Sequence, residues 1–297
     1  MAALSQSLRQ NRNSLRGVPG GTLPDSRRFR RGNILAYLVI FLVLLLFVFP
    51  LSYVFITSFK TPVTFLRDPV GIIFVPTLKN FSDAWVKASF GSYSFNSILY
   101  TAVTVVFSLL LALLIAFPLA RKYVRFHRAL FFFLMLGLFL PDGTIPLFQI
   151  LLKLGLYNTR LGYIISMMGV GGVPLIFFVS YLKGIPVELD EAAIVDGTGY
   201  FRYFFQFIIP LAQPAISSMA ILQAIGVWND ITRAIVFLSN DRLFPITKGL
   251  FVFSGLYSVS WTELTAALVI VAAPLIILYL FLQRYIISGL TSSSVKM

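Results

Sequence analysis

The chain has no cysteine and a single histidine, His127. Disulfides, iron–sulfur clusters, thiolate metal sites and cysteine nucleophiles are therefore excluded, and a histidine-based metal centre or proton relay has almost no ligands to work with. Acids are scarce, 11 Asp and Glu among 297 residues. Charged residues of both signs make up 12 % of the chain, where soluble domains carry ~25 %. A water-facing globule needs more charge than this to cover its surface. No Gly-Lys pair occurs anywhere, so the glycine-rich phosphate loop of an ATPase cannot form here. What fills the chain instead is apolar: hydrophobic residues reach 58 %, with 30 Phe. This excludes a soluble enzyme and points to an integral membrane protein. The formal net charge of +13 fits cytoplasmic anchoring of such a protein and needs no nucleic-acid partner.

A spanning helix needs ~20 mostly apolar residues. Six stretches meet that requirement, at about 34–58, 95–120, 129–152, 161–182, 204–228 and 264–284. Of the 24 Lys and Arg residues, 15 fall on the side of the two termini and 9 on the other. The excess places both termini in the cytoplasm and the long loops 60–93 and 230–263 outside. Residues 1–32 read as a flexible basic tail, an orientation signal in contact with water or membrane lipid. Residues 33–297 read as one transmembrane domain. The first apolar run exceeds the 7–15 residues of a secretory signal, so an uncleaved first helix is expected.

The loop between the fourth and fifth stretches is the most informative. Pro186 suits a first helical position, and Glu188, Asp190 and Glu191 follow where the helix dipole favours negative charge. Gly197 and Gly199 stop the helix. A short helix at about 187–197 is predicted, with Glu188, Glu191 and Ala192 on one face by their i, i+3 and i+4 spacing. Physically this is either an acidic, small-residue surface for a basic partner or an ordinary dipole-stabilised interfacial helix.

Here the residues resemble a known family. Glu191-Ala192-Ala193, Asp196-Gly197, then Ile208-Ile209-Pro210-Leu211 and Pro214 resemble the EAA loop of ABC-importer permeases, with Ile209 in place of the usual Leu. Further matches are Asn96-Ser97, Ile145-Pro146-Leu147, Leu154-Gly155-Leu156-Tyr157-Asn158-Thr159, Trp228-Asn229-Asp230 and Gln283-Arg284-Tyr285. A closing run of Gly289-Leu290-Thr291 and Val295-Lys296 carries Ser293-Ser294 where Gly-Ala is usual. Together these are similar to the MalG-type permeases of carbohydrate importers. The resemblance implies an all-α fold of six transmembrane helices, the type I importer permease, in the inner membrane of a bacterium or archaeon. It implies a second homologous permease, two copies of an ABC ATPase that bind ATP and Mg, and an extracytoplasmic solute-binding protein. It gives Glu188, Glu191, Ala192, Ala193, Asp196 and Gly197 the ATPase-coupling role, and Gly289, Leu290, Thr291 and Lys296 a C-terminal ATPase contact.

Other residues are candidates for the translocation path. Asp142, between Pro141 and Pro146, is an intramembrane acid or marks a helix break near the outer surface. Gly171 and Gly172 permit close backbone approach. Trp228, Asn229 and Arg233 close the fifth stretch, and Arg233 is either a rim ion pair with Asp230 or a grip for an acidic sugar. Aromatic stacking would serve a neutral oligosaccharide. A stand-alone secondary transporter of a small polar solute is the alternative reading. It wants membrane-embedded acids for ion coupling, and Asp142 alone qualifies.

Overall fold

The computed structural model describes residues 29–294 apart from 73, 142, 170 and 255–258, with side chains described between 34 and 281. The chain divides into two compact units, Met1–Tyr53 and Val54–Met297. Its elements are α1 (Phe29–Ser58), α2 (Pro62–Arg67), α3 (Lys79–Lys87), α4 (Phe90–Ala120), α5 (His127–Leu136), α6 (Thr144–Lys153) and α7 (Arg160–Met167). Then come α8 (Val173–Lys183), α9 (Glu188–Val195), α10 (Tyr200–Tyr203), α11 (Ile209–Leu211), α12 (Gln213–Asn229), α13 (Thr232–Phe237) and α14 (Trp261–Ser294). Among the described residues the only strand-like feature is an isolated bridge between Ser254 and Val259.

Three helical stretches are each long and apolar enough to cross a bilayer: Ile34–Ser58 in α1, α4 itself, and Trp261–Phe281 in α14. A fourth crossing forms if Tyr200–Leu211 and Gln213–Asn229 count as one, bent by 74°. The other two stretches expected as spans are each split, 129–152 into α5 and α6, and 161–182 into α7 and α8. The fold is thus all-α and multi-span, but six unbroken spans are not seen among the described residues. The breaks have local causes. Gly137, Pro141 and Gly143 separate α5 from α6. Before α8, Gly172 takes φ +85°, a region open chiefly to glycine, and Pro174 then starts the helix. At the bend, Pro210 has no N–H to return to the preceding turn. The chain passes through a π-turn at Phe204–Ile208 and resumes at Gln213. Hydropathy alone measures apolar length and does not see these interruptions.

α4 is the central helix of the second unit, packed by α8 and α12, while α12 also packs on α14. Ala112, Ala116 and Ala120 recur every fourth residue and are all buried. Such a ridge of small residues lets α8 approach closely and bring Leu175, Phe178, Val179 and Leu182 into the same cluster. A second cluster joins Phe90, Tyr100, Tyr163, Trp228, Phe237, Ile246 and Ala266.

Polar side chains fix the long loop after α13. Asn96 Nδ2 donates to the carbonyls of Arg242 (2.8 Å) and Phe244 (3.1 Å), and Ser97 Oγ accepts from Ile246 N at 2.8 Å. Asn158, itself left-handed at φ +57°, accepts from Ser239 N and Asn240 N, both at 2.9 Å. The next residue, Thr159, caps α7 by accepting from Gly162 N at 3.0 Å. These bonds give the Asn96-Ser97 and Leu154–Thr159 motifs a structural job: they order the loop that follows the fifth stretch.

Candidate functional site

The short helix α9 is built from both ends by its sequence. Glu188, Asp190 and Glu191 occupy its first turn, where the free N–H groups favour negative charge. At its C-terminus Gly197 adopts φ +70°. Its N–H bonds Ile194 O at 3.0 Å, and Thr198 N bonds Ala193 O at 2.9 Å, the paired closure of a Schellman motif.

The two faces of α9 differ in chemistry. Asp190 turns inward and forms an ion pair with Arg121, Nε to Oδ2 at 2.6 Å, each side chain 3 % exposed. Arg121 Nη2 adds a bond to Asp190 Oδ1 at 3.1 Å. Tyr203 donates its hydroxyl to Oδ1 at 2.5 Å and Tyr123 to Oδ2 at 3.2 Å. Burial first, and then the Asp190 carboxylate, push the Tyr123 phenol above the ordinary tyrosine value. It stays protonated and donates. Arg121 also donates to Leu182 O (3.2 Å) and Ile185 O (2.9 Å). It therefore bonds carbonyls at and just beyond the end of α8 while it holds α9. One guanidinium, at the residue following α4, ties three elements together.

The outward face carries Glu188, Glu191 and Ala192, all exposed. Leu189, Ile194 and Val195 are exposed beside them, Val195 at 85 %. Asp196 and Gly197 are exposed at the end of the helix. Ala193, given a coupling role by resemblance, lies in the buried cluster with Phe117 and Tyr203. Sequence reasoning missed Arg121 and Asp190 as partners, and it missed the apolar part of the outer face. An i, i+3, i+4 count from Glu188 does leave Asp190 off the outer face, so its inward direction was available as a signal.

The remaining candidates do not form one site. Trp228 is buried and donates Nε1 to Val271 O at 3.1 Å. It lines an apolar cavity of about 330 Å³ with Ile98, Val105, Ala224 and Leu275. Arg233 lines a different cavity of about 230 Å³, with Gln223 and Asp230. Its backbone N–H bonds Asp230 Oδ1 at 2.8 Å, and its Nη1 lies 3.5 Å from Oδ2. Asn229 ends α12, exposed. Gly171 and Gly172 line neither cavity. A Cβ on Gly171 would lie 2.9 Å from Leu134 O, and one on Gly172 would lie 3.4 Å from Leu138 Cδ2. They are contact points with the α5 region. Gly289, Leu290 and Thr291 fall in α14, with side chains outside the described set. Asp142 and Lys296 lie outside the described residues. Among those described, no group of three or more His, Cys, Asp or Glu is placed to hold a metal ion.

Residues 90–292 match the family described as binding-protein-dependent transport system inner membrane component. The chain is 33 % identical over 255 residues to the arabinooligosaccharides transport system permease protein AraQ of Halalkalibacterium halodurans, covering 84 % of this chain and 91 % of that one. It is 28 % identical over 281 residues to the sulfoquinovosyl glycerol transport system permease protein SmoH of Agrobacterium fabrum, covering 93 % and 98 %. Its fold matches, with a TM-score of 0.78, a chain from the crystal structure of a bacterial ABC transporter involved in the import of the acidic polysaccharide alginate. Identity there is 25 %, covering 89 % of this chain and 99 % of that one.

Proposed function

The chain belongs to the binding-protein-dependent transport system inner membrane components and is a permease subunit of an ABC importer for sugars or oligosaccharides; on that premise we propose that it forms one half of the translocation path beside a second, homologous permease. The chain itself is no enzyme. ATP and Mg are bound and used by two ATPase subunits at its cytoplasmic side, and an extracytoplasmic binding protein delivers the sugar.

In this reading the chain crosses the membrane six times with both termini inside. The pairs α5–α6 and α7–α8 and the bent segment α10–α12 each serve as one crossing. Helix α9 is the coupling helix. Glu191 meets a basic side chain of the ATPase, with Glu188, Ala192, Asp196 and Gly197 around it, while Ile194 and Val195 supply apolar contact. The C-terminal Gly289, Leu290, Thr291 and Lys296 reach the same interface. The single observation that carries the proposal is the two-faced character of α9. Its inner face is fastened by Asp190 to Arg121, and its outer face presents acid and apolar groups. A fastened helix passes a push on its outer face to α4 and α8 instead of folding away. Closure of the ATPases on ATP thereby reaches the spans.

The test is purification of the tagged chain from its native membrane with the subunits identified. A second permease and an ATPase should co-purify, and liposomes holding the complex should take up sugar only with ATP. A chain that purifies alone and transports in response to an ion gradient would instead establish the secondary-transporter reading.

A further inference from the structure

The loop between α4 and α5 carries a pattern that the coupling role does not use. It holds Arg121, Lys122, Arg125 and Arg128, and the chain has no acid between Asp83 and Asp142. Arg121 turns inward to Asp190. Lys122, Arg125 and Arg128 are exposed and form a positive patch at the end of α4. Lys122 takes φ +58°. Its N–H bonds Leu119 O at 3.4 Å, and Tyr123 N bonds Pro118 O at 3.0 Å. It thus holds the left-handed position that closes a helix, where glycine is usual. A lysine there carries backbone strain and brings an ammonium group to the end of α4 that glycine would not. Apolar side chains accompany the cations. Phe126 is 70 % exposed, with the Arg125 guanidinium 5.9 Å from its ring centre. Phe132 and Phe133 follow in α5, 68 % and 70 % exposed.

We propose that the loop 122–128 binds the phosphate headgroup of an anionic phospholipid in the cytoplasmic leaflet, and that the bound lipid steadies Tyr123 on Asp190. The proposal rests on the orientation given above, in which the end of α4 and the coupling helix α9 lie on the cytoplasmic side. The exposed rings select a lipid over a soluble phosphate. A soluble anion would match the three cations and leave Phe126, Phe132 and Phe133 in water. A lipid meets both, with its phosphate against the cations and its acyl chains against the rings. Phe132 and Phe133 stand where the chain enters the apolar stretch 129–152, so cations and rings follow in the order of headgroups and chains at the edge of a bilayer. The link to coupling is Tyr123. It lies between Lys122 and Arg125 and donates to Asp190 Oδ2 at 3.2 Å. A headgroup held by its neighbours keeps that hydroxyl in place, and with it the inner face of α9.

The experiment uses the complete complex, stripped of lipid in detergent and titrated with phosphatidylglycerol or phosphatidylcholine, with retained lipids counted by native mass spectrometry. The wild type should retain phosphatidylglycerol in preference to phosphatidylcholine. Arg125→Gln and Arg128→Gln should each weaken that retention about fivefold, and together at least tenfold. Lys122→Gly should weaken it about as much as either, while its complex melts no lower than the wild type, because glycine suits the left-handed position. It keeps the test alive if the double variant fails to assemble. In vesicles of equal parts of the two lipids the wild type should move about threefold more sugar per ATP than in phosphatidylcholine alone, and the double variant should lose that gain. Equal retention by the wild type and the assembled variants would overturn the site. The same gain from inorganic phosphate on the ATPase side of phosphatidylcholine vesicles would make the ligand a soluble anion and overturn the lipid. Loss of ATPase subunits from the variants, with lipid retention unchanged, would make the loop a protein contact and overturn the site as well. If the wild-type complex takes up no sugar in either membrane, the carbohydrate-importer reading fails, while lipid retention still decides the site.

Discussion

Arg121 and Asp190, 69 residues apart in sequence, meet as an ion pair at 2.6 Å with each side chain 3 % exposed. The pair joins the C-terminal end of α4 to the first turn of α9, and two tyrosine hydroxyls complete it. Removing one partner of a buried pair leaves an uncompensated charge, at a cost of ~3–5 kcal/mol.

Arg121→Ala and Asp190→Ala should therefore both loosen α9. The expected result is a complex that still hydrolyses ATP but moves less sugar per ATP, by fivefold or more. Asp190→Asn keeps acceptor and donor groups and should be milder. Uptake and hydrolysis measured on the same liposomes give the ratio. An unchanged ratio in both alanine variants would remove the fastening from the account.

Tyr123 gives the fastening a pH limit. Its phenol is raised above the ordinary tyrosine value, first by burial and then by the charge of Asp190, to which it donates. A pKa raised on folding means that the folded state holds the proton more tightly. Its contribution is full below the unfolded value of ~10 and is lost as pH rises toward the folded value. Thermal melting of the detergent-solubilised complex between pH 8 and 11 should show a fall in Tm above about pH 10. Tyr123→Phe should start from a lower plateau and fall less steeply.

Glu191→Lys should leave the chain inserted and folded, because the side chain is exposed. It should reduce ATPase co-purification and sugar uptake through like-charge contact with the basic partner proposed for it. Gly197→Arg should act differently. There is open space around Gly197, but its φ of +70° costs a side-chain-bearing residue ~1–2 kcal/mol. Weaker binding should then come with a loosened helix end, read as faster proteolysis after residue 197.

Gly162→Ala tests the scaffold away from α9. A Cβ there would lie 2.0 Å from the carbonyl oxygen of Leu156, backbone that cannot rotate aside. Overpacking of this kind costs ~1–3 kcal/mol. A lower Tm of the purified complex is the expected outcome, with coupling between ATP use and uptake unchanged in the molecules that stay folded.

Much of α9 was legible in the sequence because capping is local chemistry. Pro186, the three acids and Gly197 each act on the backbone within a turn, and the helix at about 187–197 is observed as Glu188–Val195. The partner of Asp190 was not legible in the same way. In the sequence Arg121 is only one of the 15 basic residues on the side of the termini. Whether a charge orients a loop or enters the core depends on which distant segment meets it. The split stretches show the same limit. Their apolar content was plain, but the interruptions arise from glycine and proline conformations such as Gly172 at φ +85°, which a sum of hydropathy does not weigh. The inward direction of Ala193 follows from the helix phase that Asp190 sets.

The most direct test of the central claim uses the absence of cysteine from this chain. Cysteine introduced by Glu191→Cys, on the outer face of α9, is a unique reactive site. So is cysteine introduced by Ala193→Cys, which is 8 % exposed on the inner face. A short thiol-to-amine cross-linker applied to the complete complex should join the Glu191→Cys chain to the ATPase subunit in high yield and the Ala193→Cys chain hardly at all. No cross-link from Glu191→Cys in a complex that still transports would contradict the docking role of α9, as would equal yields from the two positions.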